Sequence, residues 1–298
     1  MKKMFLPVCL ILCMLFGCKE KRKIAIGDCV ALDCIERTAE GAILSDSRDD
    51  DRSMLIFREK SLFKDDLFAA LGTMGEGDSA TFHINLDSLT AKMGLRRPDT
   101  KSSYLVFTIK VNKIIPRDMP PGRQSDSLLN NKIEAFKKAE NLKARDNETS
   151  KIDRYIHAKG LHPVRAPSGL QYTILQEGKG PRPISGDSVL VNYTASVLSG
   201  KVFETTDETT ARQTGIFKLG KSYRPLTLSV RADDSLSGFE EALTMFPKGT
   251  KVQLIIPSKL AYGEHGRGNI HAYTPLLCKM EILDISGAPS TKTPAQAP

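Results

Sequence analysis

The order of apolar and polar positions repeats once along the chain. Alternating apolar residues predict a strand after a Gly-Asp turn in two places, "GDCVALDC" at 27–34 and "GDSVLVNY" at 186–193. A glycine hairpin, a short amphipathic helix and further alternating strands follow each of them, ending at 104–114 and 276–285. The pattern predicts two copies of one α+β unit, each with a mostly antiparallel sheet packed on one short helix.

The two predicted helices carry the same apolar spacing. In the second copy Ser237 and Glu240 form an S-x-x-E capping box. The apolar residues of that helix fall at i, i+3, i+4 and i+7, namely Phe239, Ala242, Leu243 and Phe246. In the first copy Asp65 is the predicted N-cap. The matching stripe there is Leu67, Ala70, Leu71 and Met74. One apolar face on each helix predicts burial against its own sheet.

A different kind of segment separates the copies. Residues 116–126 are rich in proline and glycine, and sparse apolar positions then predict a helix over 127–159 with a polar break at 145–150. Gly160 is placed to end this helix. Its apolar stripe is thin, which indicates a spacer that packs on a neighbouring domain or pairs two chains as a homodimer.

Composition and charge narrow the class of protein. The 298 residues suggest about two domains. Charged residues make up 26% of the chain and the net charge is +8, with acidic and basic residues interspersed. No concentrated basic stripe or motif indicates nucleic-acid binding. The five histidines are scattered, so no metal site is predicted, and nothing in the sequence requires a cofactor.

The N-terminus predicts export and attachment to a membrane. Lys2 and Lys3 precede an apolar run that is short for a bilayer span, so residues 1–17 are interpreted as a signal peptide. The Gly-Cys pair that ends at Cys18 resembles the bacterial lipobox, in which the cysteine becomes the lipidated first residue. Residues 18–23 would then form a basic tether near anionic lipid. A plain signal peptide or a membrane anchor is the alternative.

Three of the six cysteines lie beyond this N-terminal segment: Cys29, Cys34 and Cys278. Cys29 and Cys34 are separated by an odd number of positions in a predicted strand, so they should point to opposite faces of the sheet. We therefore expect no disulfide between them.

The second copy resembles the FKBP-type peptidyl-prolyl cis-trans isomerases. Three ordered stretches within 165–285 carry the resemblance: "SGLQYTILQEGKGPRPISGDSVLVNYTASVLSGKVFETT", "SLSGFEEALTMFPKGTKVQLIIPSKLAYGEHGRGNI" and "LLCKMEILDI". The resemblance implies a half-barrel sheet wrapped on the helix. It also implies catalysis of X–Pro rotation in unfolded or partly folded client proteins, without a cofactor. The first copy resembles the same fold in pattern only.

The same motifs carry the family's principal site residues onto this chain. The resemblance implies that Tyr193 and Phe203 form the wall of an apolar pocket. Phe239 would be the floor of the pocket, where the best-studied members have tryptophan. Tyr262 would direct its hydroxyl to the substrate carbonyl.

The resemblance adds further positions. Glu204 stands where the family usually has aspartate, and Leu236 stands where a backbone N–H contacts the ligand. Additional pocket positions are Leu226, Ile270 and Cys278.

Several departures from the family pattern bear on activity. At three positions where the family has a larger or aromatic side chain, this sequence has Phe239, Leu226 and Cys278. We therefore expect a wider and shallower pocket. Activity should be below that of archetypal members, and bulky macrolide inhibitors should bind poorly. The loop at 204–224 is longer than usual and should lie beside the pocket as a lid or a partner surface. The flap "GRGNIHAYT" lacks a frequent Pro-Pro pair, which predicts a more mobile flap.

The first copy keeps the core spacing and loses the site residues. Its positions equivalent to Tyr193, Phe203, Phe239 and Tyr262 are, in that order, Cys34, Leu44, Leu67 and Thr90. Because both tyrosines are absent and "TAKMGLRRPDTKSS" replaces the flap, we expect a non-catalytic unit. It would serve as a scaffold, a client-binding surface or a dimer element.

These inferences combine into one expected organisation. The segments are a signal peptide 1–17, a tether 18–23, a degenerate FKBP-like domain 24–116, a linker with helical spacer 117–163, an isomerase domain 164–286 and a disordered tail 287–298. The main hypothesis is an isomerase that assists protein folding in the bacterial cell envelope, lipid-anchored and in the outer membrane. The alternatives are a non-catalytic chaperone or scaffold lipoprotein, and an adaptor whose long loop docks one partner.

Overall fold

The computed structural model describes residues 21–50, 52–93, 102–230 and 237–287. The predicted signal peptide, the predicted lipidation site Cys18 and most of the predicted tail lie outside these ranges, as does Leu236. No helix within the ranges is long and apolar enough to cross a membrane.

The first unit is a five-stranded antiparallel sheet with two helices. Its strands are β1 (Cys29–Thr38), β2 (Ile43–Asp46), β3 (Met54–Phe57), β4 (Ser79–Asn85) and β5 (Tyr104–Ile115). Its helices are α1 (Leu67–Gly72) and α2 (Leu86–Met93), with a 3-10 turn at Ser47–Asp50. Strand β1 pairs with β2 and β3 along one edge and with β5 along the other, and β4 pairs with β5.

The N-cap of α1 corrects one prediction. Asp66, rather than Asp65, caps the helix, because its carboxylate accepts a hydrogen bond of 2.8 Å from the backbone N–H of Ala69. Asp65 has φ of 61°, the left-handed region, whereas an N-cap residue is extended. Two adjacent aspartates satisfy the sequence rule equally well, and only the path of the incoming chain distinguishes them.

One uninterrupted helix, α3 (Arg123–Ala158), joins the units. It begins earlier than predicted and continues through the polar stretch 145–150 that was expected to break it. That stretch contains no glycine or proline, and its residues cost well under about 1 kcal/mol each in a helix, which packing on either side can offset. Gly160, with φ of 59°, lies just beyond the end of the helix, as predicted.

The second unit repeats the topology of the first, with two extra strands at one edge. Its strands are β6 (Val164–Arg165), β7 (Gln171–Gln176), β8 (Ser188–Val197), β9 (Val202–Thr205), β10 (Leu226–Ser229), β11 (Lys251–Ile256) and β12 (Leu276–Ser286). Its helices are α4 (Glu208–Gln213) and α5 (Gly238–Met245), with a 3-10 turn at Ser258–Leu260. Strand β8 pairs with β9, β10 and β12, and β12 pairs with β11.

Strands β8 to β12 therefore take the places of β1 to β5, and α5 takes the place of α1. This correspondence confirms the predicted α+β fold class with two copies of one unit. The capping box of α5 is also confirmed. The Ser237 hydroxyl accepts a hydrogen bond from the Glu240 N–H at 3.2 Å, and the Glu240 carboxylate accepts one from the Ser237 N–H at 3.1 Å.

The thin apolar stripe of α3 is divided between the two sheets. Its N-terminal part is in a cluster formed by Cys29, Ile115, Leu129 and Ile133. Its C-terminal part is in a cluster formed by Ile152, Leu198, Ile255 and Leu277. Most of the helix between these clusters is exposed or half-buried. The helix thus spans from one sheet to the other, and few apolar positions suffice because only its two ends face a sheet.

Candidate active site

An open hollow of about 400 Å³ lies at one end of the second unit. Residues from α5, β8, β9, β12 and the loop after β11 line it. Six of the predicted site residues are among them: Tyr193, Phe203, Glu204, Phe239, Tyr262 and Cys278. We call this space the aromatic hollow.

Strand alternation explains how the hollow grows out of the core. Val189, Val191 and Tyr193 share one face of β8, since side chains at every second position point the same way. The two valines are fully buried in the core of the unit. Tyr193 is only partly buried and packs against the edge of the same core. The face of β8 that packs against the core therefore also forms the wall of the aromatic hollow further along the strand.

Two edge-to-face aromatic pairs shape the hollow. The rings of Tyr193 and Phe239 are 5.0 Å apart at an interplanar angle of 68°. Those of Phe203 and Tyr262 are 6.4 Å apart at 66°. Such pairs favour a defined ring orientation, so the walls are set before any ligand arrives. Among the described residues, no hydrogen-bond partner is found for the hydroxyl of Tyr193 or of Tyr262.

The ionisation of the polar groups is set by burial. Burial raises the pKa of Tyr193 to about 12, and the nearby carboxylate of Glu204 adds to the increase. This phenol therefore stays neutral and can donate a hydrogen bond at neutral pH. Burial also raises the pKa of the Cys278 thiol to about 12. A protonated and buried thiol acts as a small apolar wall and not as a nucleophile.

Comparison with known proteins agrees with this geometry. Residues 180–283 match the model of the FKBP-type peptidyl-prolyl cis-trans isomerase family. Over this range, which is the greater part of the second unit, the chain is similar to that family. FKBP-type peptidyl-prolyl cis-trans isomerase FkpA of Escherichia coli strain K12 is 33% identical over 156 residues, which are 52% of this chain and 52% of FkpA.

Two further similarities were found. Outer membrane protein MIP of Legionella longbeachae is 32% identical over 168 residues, which are 55% of this chain and 63% of that protein. The crystal structure of FkpA from Escherichia coli aligns with a TM-score of 0.43 and 26% identity, covering 55% of this chain and 69% of that one. The chain thus aligns with only about half to two thirds of the length of these curated relatives.

The remaining predicted residues lie elsewhere in or around the second unit. Leu226 does not line the aromatic hollow: it begins β10, where it is 41% exposed. Leu228, the next residue on the same face of β10, packs against the core instead, and only tertiary packing decides where along the strand the core ends. Ile270 is buried in the flap and lines two neighbouring spaces but not the hollow. Leu236 is outside the described residues.

The long loop after β9 does lie beside the hollow. Lys221 of this loop forms an ion pair with Glu204. The loop also contains a stack in which the rings of Phe217 and Tyr223 are 5.5 Å apart and nearly parallel. The guanidinium of Arg212 lies 3.7 Å from the centre of the Phe217 ring. The loop is therefore a small structured element that holds the Glu204 carboxylate at the rim.

Sequence reasoning missed the residues that hold the loop bearing Tyr262. The carboxylate of Glu148, on α3, accepts hydrogen bonds from the backbone N–H of Ser258 at 2.5 Å and from its hydroxyl at 2.7 Å. Ser258 begins the 3-10 turn that leads directly to Tyr262. Glu148 lies in the stretch that was predicted to break the helix, and no local motif marks its role.

The flap is held from within and from the first unit. Gly266 has φ of 66°, and a Cβ at this position would lie 2.2 Å from the Ile270 carbonyl oxygen, so only glycine fits. The backbones of Arg267 and Ile270 bridge each other with hydrogen bonds of 2.8 and 2.9 Å. Arg52 of the first unit donates a hydrogen bond of 3.1 Å to the Ala272 carbonyl. Arg267 was also missed, and its guanidinium lies 5.6 Å from the Tyr262 ring centre.

The equivalent positions of the first unit have different environments. Cys34 is buried in the core, and Leu44 is 43% exposed on β2. Thr90 lies on α2, where its hydroxyl donates to the Leu86 carbonyl at 3.0 Å. The three cysteines Cys29, Cys34 and Cys278 are free and buried.

Proposed function

We propose that this protein is a peptidyl-prolyl cis-trans isomerase and that the aromatic hollow binds the prolyl residue. The observation that carries the proposal is the convergence of Tyr193, Phe203, Phe239 and Tyr262 on one open, largely apolar space. The match of residues 180–283 to the FKBP-type family model supports the same conclusion for the second unit.

The reaction requires no covalent chemistry. Rotation about a peptide bond must overcome a barrier of about 18–20 kcal/mol, because twisting breaks the amide resonance. The twisted amide has lost charge separation, so less polar surroundings favour it over the planar form. A site accelerates the rotation if it binds the twisted form more tightly than the planar form.

The residues of the hollow have distinct roles in this proposal. Phe239 and Phe203 provide the apolar surface against which the proline ring rests. Tyr262 donates its hydroxyl hydrogen bond to the substrate carbonyl next to the rotating bond. Tyr193 provides a neutral wall. Glu204, held by Lys221, shapes the rim and transfers no proton.

We expect the activity to be modest. Each missing aromatic contact can weaken substrate binding by about 1–3 kcal/mol, which is the scale for burying one side chain. Phe239 and Cys278 are smaller than the aromatic side chains that the family usually has at these positions, so the hollow is expected to be wide. Leu226 lies outside it. The same width predicts weak binding of bulky macrolide inhibitors.

We also propose a setting and a domain organisation. The protein would assist folding in the bacterial cell envelope, anchored to the outer membrane by lipid on Cys18. The N-terminal sequence pattern supports this setting, and one relative is named an outer membrane protein. The degenerate FKBP-like domain would span 24–116, and the isomerase domain 164–286.

A second candidate function is client binding without turnover. A space of about 550 Å³ between the first unit, α3 and the flap favours it, because this space is larger than the aromatic hollow. Under this alternative the protein is a chaperone or scaffold, and the hollow is one of several grooves.

A proline-peptide isomerisation assay on the full chain distinguishes the two candidates. We expect catalysis that saturates with substrate and an accelerated refolding of a protein limited by prolyl isomerisation. Suppression of client aggregation without any change in the isomerisation rate would instead establish the binding function and contradict the enzyme proposal.

A further inference from the structure

A second space opens from the rim of the aromatic hollow. Its volume is about 310 Å³, and Phe203 and Glu204 line both spaces. Its outer wall is the long loop, through Phe217, Lys218 and Lys221, and Ile270 of the flap borders it opposite. We call this space the side groove. Because the two spaces share a rim, a chain leaving the hollow over Phe203 enters the side groove.

The length of a peptide makes this path relevant. An extended chain advances about 3.3–3.6 Å per residue, so a proline in the hollow leaves its neighbours within a few residues of the rim. The side groove is therefore in reach of residues close to the proline and not of distant parts of the client.

The outer wall is formed in advance. The ring of Phe217 contacts both the guanidinium of Arg212 and the ring of Tyr223. The hydroxyl of Tyr223 accepts a hydrogen bond of 2.9 Å from the backbone N–H of Lys218. A wall fixed by these contacts loses little conformational freedom when a ligand binds, which favours affinity.

The described lining of the side groove contains more basic than acidic side chains. Three lysines line it: Lys201, Lys218 and Lys221. Among the described lining residues Glu204 is the single carboxylate, and it is paired with Lys221, so the charge argument rests on Lys218. The apolar surface between the lysines comes from Phe203, Ile216 and Phe217. A segment that combines acidic and apolar side chains matches both features.

We propose that the side groove is a subsite for the client segment next to the proline, and that it selects segments with acidic and apolar residues. The proposal rests on the proposed isomerase function. The occupant is the same extended client chain whose proline lies in the aromatic hollow.

The test compares peptides that differ only in charge. Each peptide has one proline in a fixed local context and a pair of Asp or Lys residues either before or after it. For the full chain we expect kcat/KM to be about two- to fivefold higher for the Asp peptide than for the Lys peptide, with the charged pair either before or after the proline. A ratio of this size corresponds to the free energy of an exposed ion pair. The preference should decrease with added salt, because exposed charges are screened.

Charge reversal locates the effect. Lys218→Glu should remove or invert the ratio of the rates on acidic and basic peptides, a ratio in which any general change in rate cancels. The matched control is Lys179→Glu, since Lys179 is exposed and lies outside the side groove. Equal rates for acidic and basic peptides in both placements, or equal effects of the two substitutions, would overturn the proposal.

A binding measurement separates this proposal from the isomerase function. Fluorescence anisotropy of the same labelled peptides reports affinity with or without turnover. If no peptide is isomerised but the acidic peptides still bind more tightly in a Lys218-dependent way, the enzyme proposal fails and the subsite stands. If peptides are isomerised with no charge preference in rate or affinity, the subsite fails and the enzyme stands.

Discussion

The two units of this molecule share one sheet order but differ at the rim. Both bury a leucine of the short helix in the core, Leu71 in the first and Leu243 in the second. The central strands β1 and β8 are equivalent, but the side chain of Cys34 on β1 is buried in the core, whereas that of Tyr193 on β8 lines an open hollow. The spacing of apolar core positions therefore specifies the fold of each unit, whereas a few rim residues and loops form the site.

The connections that follow β4 and its counterpart β11 illustrate the difference. In the first unit, helix α2 follows β4, and the Thr90 hydroxyl is bonded to the helix backbone. In the second, the 3-10 turn after β11 presents Tyr262 to the hollow. The sheet is equivalent in both cases, so the connection and not the strand decides whether a hydroxyl faces a ligand.

The largest effect should come from core truncation. Leu243→Ala and Leu71→Ala should each destabilise their own unit by about 2–5 kcal/mol, since both side chains are fully buried. Only Leu243→Ala should also reduce isomerisation, through loss of folded second unit. Denaturant unfolding, with hydrogen exchange to assign each transition, measures this. Equal loss of activity in both variants would mean that the units do not function separately.

The next largest effect should come from the floor of the hollow. Phe239→Ala should remove about 1–3 kcal/mol of apolar contact with the proline, a fall in kcat/KM on the order of tenfold to a hundredfold. Leu67→Ala, at the position of the first unit that aligns with Phe239 in sequence, should leave kcat/KM unchanged. Unchanged kinetics in Phe239→Ala would remove the hollow from the mechanism.

Loss of one hydroxyl should have a smaller effect. Tyr262→Phe removes a hydrogen bond worth about 0.5–1.5 kcal/mol, so kcat/KM should fall about two- to tenfold with little change in stability. Thr90→Val in the first unit serves as the matched control and should have no kinetic effect. A rate equal to that of the unsubstituted protein would show that the Tyr262 hydroxyl does not contact the substrate.

Glu148 offers a test of positioning from outside the unit. Glu148→Gln weakens the hydrogen bonds to Ser258, so we expect faster hydrogen exchange near 258–262 and a fall in kcat of about two- to threefold, with KM little changed. Glu134→Gln is the control on the same helix, because Glu134 forms only an exposed pair with Lys137. Identical exchange in the two variants would argue against positioning by Glu148.

The smallest expected effect is that of pH. The Tyr193 pKa is raised from 10.0 to about 12, so this phenol should not titrate between pH 6 and pH 9 and should impose no pH dependence on kcat/KM there. The stability associated with the neutral phenol is fully present below about pH 10 and is lost as the pH rises towards 12. A kinetic pKa near 7 that disappears in Tyr193→Phe would contradict this assignment.

Much of the fold was predictable because its signals are local. Alternation within β1 and β8, the capping box at Ser237 and the stripe of each short helix involve residues a few positions apart. The predicted N-cap of α1 was wrong by one position, and the predicted break in α3 was also wrong. In both cases the local sequence rules allow more than one outcome. The principal wall and floor residues of the hollow were named by motif, and the structure brings them together.

By itself, the sequence determined that the chain has two α+β copies and that only the second carries the aromatic rim. Only the tertiary structure decided that Glu148 holds Ser258, that Arg52 reaches Ala272, and that the long loop borders a charged groove. The residues of the first pair are 110 positions apart and those of the second 220, so no periodicity or spacing rule connects them. Such contacts depend on where α3 and the two sheets pack, and that placement is a property of the whole folded chain.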